Sequence, residues 1–529
     1  MRRQQALGIV LILLLAGCKS TPPAAEPPAE SLSPVYTDWS KLTPYEVPQA
    51  IYTRRYEDFT DTLIPADDYG PLIPFSGAAL SRSWSGGWTD TYHLSGLVTL
   101  EGEVVVDPVF SSVTEIVEYD DIGHIAYDPG VLLLTKSVVG SEGEPESRSA
   151  LCARDGSWCT DFLYSYNWET FSRVSLSQGI PLLKKGEQLA FLDPDNGEEL
   201  RFIDLSSYYL SAYSSLTDVT VDPDEGWITL SFYHWDEESR SSSYTFVCLD
   251  PIGSIHPLPQ DTTYVFQHGE GLIPARNSDG YYGYADAEGN WAIPPVYNAV
   301  QPFSGGAALV RDADYCYYFI DRTGQAVSEP IFCDYIQRCG DFWYFLGYNY
   351  DVAAVYDKDH QPIDSPLVGL PDSISFVGDD WAAVQDGEAW ILARGTEVHR
   401  YPASLGELQA VQGDRVLFAV RDQVENVVVW SPCTLTDLKG REIAQWRGYF
   451  YIWFSSDSIT GEPYLAGYGN DGTQTTLWDL DGQLLFQQNS GSYCRPAGGR
   501  IVREDEGFFS LLTLDGETVF YWPIPQAVD

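Results

Sequence analysis

Residues 279–312 read DGYYGYADAEGNWAIPPVYNAVQPFSGGAALVRD, and this stretch decides the fold. It alternates runs of aromatic and β-branched residues with short segments rich in Gly, Asp and Pro. Such runs favour strands of about five residues, and such segments favour tight turns. The stretch therefore predicts a small unit of three or four strands joined by turns.

The turn within this stretch, Asp286 to Gly289, recurs along the chain. Its Gly, or a substitute, marks eleven positions that lie 34 to 56 residues apart: 102, 156, 197, 253, 289, 324, 360 (His), 395, 440, 482 and 516. Six of the turns begin with Asp, at positions 250, 286, 321, 357, 437 and 479. In such a turn Asp caps nearby backbone amides and Gly adopts a positive φ. The repetition predicts about eleven copies of one β unit.

The repeat limits the architecture to two kinds. No stretch keeps a helical 3.6-residue period over a dozen residues, so the fold is predicted to be all-β. A unit this small cannot bury both faces of its sheet, and neighbouring units must stack. Blade-sized units favour a β-propeller over an open β-solenoid. Because a propeller usually has about four to eight blades, eleven turns leave open one large ring or two consecutive rings.

The best copies of the unit, within residues 270–360, resemble the WG-repeat (KWG-type) family of bacterial lipoproteins. The family motif runs aromatic-Gly-aromatic, Asp, a turn with Gly, an apolar residue with Pro, Tyr, Phe and a final apolar strand. The residues in those places are Tyr282, Gly283, Tyr284, Asp286, Gly289, Ile293, Pro294, Tyr297, Phe303, Gly306 and Leu309. The resemblance implies a repeat module, often surface-associated, and supplies no catalytic residues.

The N-terminus reads as an export signal. Arg2 and Arg3 precede an apolar stretch that ends in Leu15-Ala16-Gly17-Cys18, which resembles the bacterial lipobox. This predicts a signal peptide at residues 1–17 and lipidation of Cys18, and an ordinary signal peptide with a chance Cys is the alternative. Residues 18–48 contain seven Pro and are predicted to form a lipid-anchored tether, with the β-repeat body at 49–529. The chain is thus expected outside the cytoplasm, anchored to the bacterial membrane.

The charge excludes one class of partner. Against 76 Asp and Glu the chain has 30 Lys and Arg, a formal net charge of -46. Nucleic-acid binding depends on cationic contacts to phosphate, so no nucleic-acid partner is expected. The acidic excess instead favours solubility and distance from anionic lipid.

Eight cysteines follow Cys18, and an even number in an exported chain is typical of disulfides. Cys152 and Cys159, which flank the turn at Asp155 and Gly156, are the candidate disulfide. Buried free thiols are the alternative. A structural zinc site needs closely paired ligands, and these spacings do not provide them.

Motifs that carry chemistry are missing from the sequence. There is no GxSxG elbow, HExxH, Walker loop or GxGxxG followed by a helical pattern, and the seven His are scattered. We therefore predict no catalytic residues, no metal ligands and no cofactor, and the sequence favours a binding protein over an enzyme. Two acidic loops, 193–198 and 222–226, offer oxygen ligands of the kind calcium prefers, and solvated hairpin turns are the alternative.

Aromatic residues offer a contact surface. Most should fill the space between units, whereas Trp84 and Trp88 lie in a Gly-rich loop and are the candidate binding aromatics. Together these features predict a lipid-anchored binding or scaffolding module for a protein or cell-wall glycan. A surface hydrolase or lyase that acts on polysaccharide is the alternative, and an envelope sensor also stays open.

Overall fold

The computed structural model describes most of the repeat body. The described residues are 35–36, 62–66, 69–83, 89–119, 125–139, 145–165, 176–177, 180–208, 214–222, 225–237, 239–378, 380–424, 427–469, 474–489, 493–505 and 507–524. Helical structure in this part of the chain is limited to two short 3₁₀ turns, Ser206–Tyr208 and Ala403–Leu405. Over the same residues, no helix has the length and apolar character needed to cross a membrane.

A two-residue strand, β1 (Val35–Tyr36), comes first, and the strands that follow form eleven sheets within the described residues, numbered here in chain order. Sheets 1 to 4 contain the following strands: β2 (Ile73–Ser83), β3 (Thr89–Val98) and β4 (Val104–Phe110); β5 (Ser112–Tyr119), β6 (Ile125–Val139) and β7 (Pro145–Ala153); β8 (Leu176–Ser177), β9 (Ile180–Lys185), β10 (Gln188–Leu192) and β11 (Glu199–Asp204); β12 (Ser215–Val221), β13 (Ile228–Asp236), β14 (Ser241–Leu249) and β15 (Ile255–His256).

Sheets 5 to 8 cover the best copies of the sequence motif and the unit after them. Their strands are β16 (Thr262–Val265), β17 (Ile273–Asn277), β18 (Tyr282–Ala285) and β19 (Trp291–Tyr297); β20 (Ala299–Val300), β21 (Ala307–Arg311), β22 (Cys316–Asp321) and β23 (Ile331–Phe332); β24 (Tyr335–Cys339), β25 (Phe342–Leu346) and β26 (Val352–Tyr356); β27 (Ser375–Phe376), β28 (Ala382–Asp386), β29 (Ala389–Arg394) and β30 (Glu397–Pro402).

Sheets 9 to 11 complete the body, and β1 joins the last strand of sheet 9 in parallel. Their strands are β31 (Glu407–Gln412), β32 (Arg415–Val424), β33 (Val427–Asp437) and β34 (Glu442–Arg447); β35 (Tyr449–Ser456), β36 (Pro463–Gly469), β37 (Gln474–Trp478) and β38 (Leu484–Asn489); β39 (Tyr493–Ala497), β40 (Arg500–Asp505), β41 (Phe508–Leu512) and β42 (Thr518–Pro523).

Each sheet is a meander whose consecutive strands pair antiparallel in chain order. In sheets 4 to 7 this places the first and third turns at one end, the first-turn end. The second turn and the connection to the next sheet lie at the opposite end, the second-turn end. The same four sheets therefore present two separate sets of loops.

Buried apolar clusters join every sheet to the next, and the last sheet to the first. At the closure Phe75 of sheet 1 packs its ring 5.3 Å from Phe520 and 5.1 Å from Trp522 of sheet 11. The Trp522 indole also donates a 2.6 Å hydrogen bond to the Gly77 carbonyl. The described sheets therefore form one closed ring, an eleven-bladed β-propeller, which confirms the all-β propeller prediction and excludes the two-ring alternative.

The eleven turn markers behave as predicted. Each adopts a positive φ, between 58° and 87°, and His360 is the substitute at 58°. The six Asp residues at 250, 286, 321, 357, 437 and 479 each accept hydrogen bonds from the amides two and four residues later. Local capping thus shapes the same turn in sheet after sheet.

Gly283 occupies the glycine position of the family motif for a steric reason. A Cβ there would lie 2.5 Å from the Ile293 carbonyl oxygen and 2.7 Å from the Pro295 nitrogen. The next residue, Tyr284, is fully buried and donates a 2.7 Å hydrogen bond to the Gln301 carbonyl of sheet 6. The aromatic-Gly-aromatic motif therefore packs strands closely and ties one sheet to the next.

Candidate functional site

Four successive first turns converge on a pocket of about 430 Å³, called here the acidic pocket. It is lined by side chains and backbone from sheets 4 to 7: Asp222, Glu225, Gln267, His268, Glu270, Gln301, Pro302, Phe303, Ser304, Gly305, Arg338 and Trp343. Three of the lining residues, Asp222, Glu225 and Glu270, have carboxylate side chains, and Arg338 adds a guanidinium group. Because each sheet contributes its first turn, the ring itself brings together residues that are far apart in sequence.

The loop between β12 and β13 holds the first two carboxylates. The Asp222 amide donates to the Trp227 carbonyl at 2.8 Å, and one Asp222 carboxylate oxygen accepts from the Glu225 amide at 3.2 Å. These bonds help to hold Asp222 and Glu225, and both acids line the pocket. Asp222 is buried and Glu225 is half-buried.

His268 is held against this loop from the next sheet. Its ring stacks on the Trp227 indole with centroids 3.8 Å apart and planes 11° apart. A Cβ on the following residue, Gly269, would lie only 2.4 Å from the Phe303 carbonyl oxygen. The glycine thus allows the His268 loop to pack against the first turn of sheet 6, which fixes the imidazole in place.

Asp222, Glu225 and His268 form a compact cluster. His268 Nδ1 lies 3.6 Å from Asp222 Oδ2 and 3.6 Å from Glu225 Oε2, and one ligand atom from each residue lies within 4.8 Å of the others. His268 is 1% exposed, and neither of its ring nitrogens has a hydrogen-bond partner. These three residues could hold a metal ion, although the sequence predicted no metal ligands. The acidic loop was a visible signal, but its histidine partner lies more than forty residues away.

Glu270, which also lines the pocket, is held by a contact with the next sheet. Glu270 adopts a φ of 48°, and its carboxylate accepts a 3.0 Å hydrogen bond from the Gly306 amide. His360 lies beside Gly305 and is buried, and that burial lowers the pKa of its imidazole. A non-Gly residue with positive φ is uncommon and points to a position of special demand.

The second-turn end of the same sheets exposes tyrosines. Eight tyrosines are exposed among the described residues, and seven of them lie at or near this end of sheets 4 to 7. We call these seven the tyrosine face: Tyr244, Tyr264, Tyr281, Tyr315, Tyr335, Tyr348 and Tyr350. Their exposed fractions range from 41% to 76%.

Two of these tyrosines occupy a turn position that elsewhere belongs to glycine. In the second turn of sheet 5, Gly280 has a φ of 91° and donates its amide to the residue three before it. Tyr315 and Tyr350 take the same place in sheets 6 and 7, with φ of 63° and 62°. A bulky side chain in this conformation costs on the order of 1 kcal/mol. The backbone of the turn therefore does not account for a tyrosine at either position.

Neighbouring rings hold the tyrosine face in place. Tyr335 and Tyr350 stack with centroids 4.9 Å apart and planes 1° apart. Tyr264 continues a row of rings with Phe246 at 5.6 Å, and the Arg311 guanidinium lies 5.2 Å from the Tyr315 ring. Such packing reduces the rotamer entropy that the side chains lose when they bind a partner.

The predicted site residues are only partly described. Cys18, Trp84 and Trp88 lie outside the described residues, and their roles stay predictions. Cys152 and Cys159 face each other across an antiparallel bridge as free thiols, and the disulfide also stays a prediction. The hydrogen bond with Cys159 and burial raise the pKa of the Cys152 thiol.

The two acidic loops differ in structure. In loop 193–198, Asp193 accepts the Asp195 amide and Asn196 accepts the Glu198 amide, as in an ordinary hairpin turn. In loop 222–226, Asp222 and Glu225 join His268, whereas residues 223 and 224 lie outside the described residues. The calcium hypothesis stays untested at both loops.

Sequence patterns did not identify the seven tyrosines of this face as a group. Its members occur as Asp312-Ala-Asp-Tyr315 and Gly347-Tyr348-Asn-Tyr350, in equivalent turns of successive units. Only alignment of the second turns, rather than of the Gly markers in the last turns, would have grouped them.

Comparison with known proteins supports the repeat assignment. Residues 282–316 match the family model described as WG containing repeat, so the chain carries a WG-type repeat as predicted. No curated protein matches the sequence.

Solved structures give weaker likenesses. BamB from Moraxella catarrhalis shares 10% identity, covers 65% of this chain and 93% of its own, and has a TM-score of 0.25. A eukaryotic initiation factor shares 10% identity over 86% of this chain and 98% of its own, with a TM-score of 0.33. AztD from Citrobacter koseri, in its apo form, shares 10% identity over 64% and 93%, with a TM-score of 0.22. TM-scores this low carry no argument about function.

Proposed function

We propose that this chain, which carries a WG-type repeat within a closed eleven-bladed ring, is a lipid-anchored extracytoplasmic binding or scaffolding protein. Its partner is a protein or a cell-wall glycan, held at the tyrosine face of sheets 4 to 7. The lipobox resemblance at Cys18 and the Pro-rich stretch that follows support the anchor and tether.

The observation that carries the proposal is the concentration of exposed tyrosines on one end of four adjacent sheets. Tyrosine supplies a large apolar contact area with few rotatable bonds, and its hydroxyl adds a hydrogen bond. Aromatic residues are enriched at protein interfaces, and flat rings also suit the apolar faces of sugars. Rigid β hairpins present these side chains, so little ordering is needed on binding.

The strained tyrosines strengthen the case. Glycine would satisfy the turn at positions 315 and 350 without strain, as Gly280 does in sheet 5. The tyrosines at these positions therefore serve something other than the stability of the turn. A partner that contacts their rings supplies that purpose.

Photo-crosslinking in the native cell envelope tests the partner surface. A photo-reactive phenylalanine analogue replaces Tyr348, which is 76% exposed. As a matched control, the analogue replaces Ile252, which is 80% exposed and lies in the third turn of sheet 4. We expect protein adducts at position 348 and none at position 252. Equal adducts at both positions would contradict the assignment of the partner to the tyrosine face.

A glycan arm distinguishes the two partner classes. Purified cell-wall glycan is incubated with the wild-type protein and with the triple variant Tyr315→Gly, Tyr348→Ser, Tyr350→Gly. Retention of wild type but not of the variant would identify a glycan partner, whereas release of reducing sugar would favour the hydrolase or lyase alternative. If no adduct forms at position 348 and no glycan is retained, the binding function is refuted.

The anchor is tested separately. Cys18→Ser should abolish metabolic labelling of the chain with a fatty-acid analogue and shift it from the membrane fraction to the soluble extracytoplasmic fraction. Membrane retention without labelling would contradict lipidation at Cys18.

A further inference from the structure

His268 is a buried histidine whose hydrogen-bonding capacity the protein does not meet. It is 1% exposed, and neither ring nitrogen has a hydrogen-bond partner. The two nearest carboxylate oxygens, from Asp222 and Glu225, lie 3.6 Å from Nδ1, beyond ordinary hydrogen-bond distance. Leaving a buried imidazole unsatisfied is costly, so the arrangement calls for a ligand between these groups.

The geometry points to a divalent transition-metal site formed by Asp222, Glu225 and His268. A metal about 2.1 Å from each of three ligand atoms places those atoms roughly 3.3 Å apart. The two separations from His268 Nδ1, 3.6 Å each, are close to this spacing, and the two carboxylate oxygens, within 4.8 Å of each other, must move together to bind one metal ion. The site is independent of the proposed partner surface, which lies at the opposite end of the sheets.

The donor set selects the class of metal. One imidazole nitrogen with two carboxylate oxygens suits zinc and neighbouring first-row metals, whereas calcium takes six to eight oxygen ligands. Asp222 and Glu225 thus belong to a nitrogen-containing site rather than to an all-oxygen calcium site. The Trp227 indole, stacked 3.8 Å from the imidazole, fixes the orientation of the ring.

The surroundings leave room for a further ligand. All three residues line the acidic pocket, which Arg338 also lines. A metal with three protein ligands keeps a fourth position for water or another small molecule, the arrangement found in open zinc sites. The pocket that the three residues line has a volume of about 430 Å³, enough space for such a ligand.

Metal titration of the full chain tests this site. The protein is purified without a polyhistidine tag, stripped with chelator and titrated with Zn²⁺ by calorimetry, with Co²⁺ as a spectroscopic probe and Ca²⁺ as a competitor. We expect one Zn²⁺ per chain and a visible Co²⁺ absorption band. His268→Ala and Glu225→Gln should each weaken binding at least roughly tenfold and remove the band.

One control and a second test variant keep the test decisive. His399→Ala removes another histidine that lies beside a carboxylate, with Nε2 3.0 Å from Glu397 Oε1, and should leave Zn²⁺ binding unchanged. Glu225 is half-buried, so Glu225→Gln keeps the test valid if His268→Ala fails to fold. No Zn²⁺ binding, binding unchanged in Glu225→Gln, or a preference for Ca²⁺ would overturn the site.

Discussion

The two ends of sheets 4 to 7 use the same strands for opposite purposes. At the first-turn end the loops pack against one another and enclose carboxylates and His268 in the acidic pocket. At the second-turn end the loops present the tyrosine face to solvent. The repeat sets the backbone at both ends, so the side chains at each end are free to differ. Substitutions should therefore affect stability most at the first-turn end and partner binding most at the second-turn end.

The largest expected difference between the ends is in packing. Phe303→Ala at the first-turn end removes a 2% exposed ring that packs 4.8 Å from Tyr284, and should lower the free energy of unfolding by about 3–5 kcal/mol. Tyr348→Ala at the second-turn end should change it by no more than about 0.5 kcal/mol. Urea denaturation measures both. Similar losses would break the distinction.

A hydrogen bond between sheets gives the next effect. Tyr284→Phe removes the hydroxyl that donates to the Gln301 carbonyl beside the acidic pocket. Because the bond is buried, we expect a loss of about 1–2 kcal/mol in unfolding free energy, again by urea denaturation. The control Tyr281→Phe alters an exposed ring of the tyrosine face and should be neutral. A neutral result for Tyr284→Phe would count against this tie between sheets.

The Asp side chains that cap the turns should contribute similarly to stability at both ends. Asp286 in a third turn and Asp312 in a second turn each accept two backbone amides, at distances of 2.8 to 3.0 Å. Asp286→Ala and Asp312→Ala should each cost about 1 kcal/mol, since the capping device is the same. Thermal melts compare the two variants with wild type. A large cost at only one end would show that the turns are not equivalent.

The smallest expected effect concerns the strained tyrosines. Tyr315→Gly and Tyr350→Gly relieve a positive φ but add backbone entropy to the unfolded chain, so unfolding free energy should change by no more than about 0.5 kcal/mol. The same variants should weaken partner binding. A clear loss of stability with unchanged binding would assign these tyrosines to the fold instead.

Parts of this protein were predictable because they depend on nearby residues. The Asp and Gly of each marked turn interact within four positions, and sequence spacing alone located all eleven turns. The family motif at Tyr282 to Leu309 likewise marked strands that belong to sheets 5 and 6. The acidic pocket escaped prediction because Glu225 and His268 meet only when two sheets stack. The tyrosine face escaped it because its members share an end of the ring rather than a continuous motif.

The sequence by itself determined the all-β class, the repeated turns and the acidic, aromatic composition of the body, because these follow from local preferences of short segments. Only the tertiary structure decided that the units close into a single ring, through the packing of Phe75 against Phe520 and Trp522. It also decided which side chains meet at each end. Ring closure and the convergence of side chains depend on the angle at which each sheet packs on the next. Side-chain packing over the whole ring sets that angle.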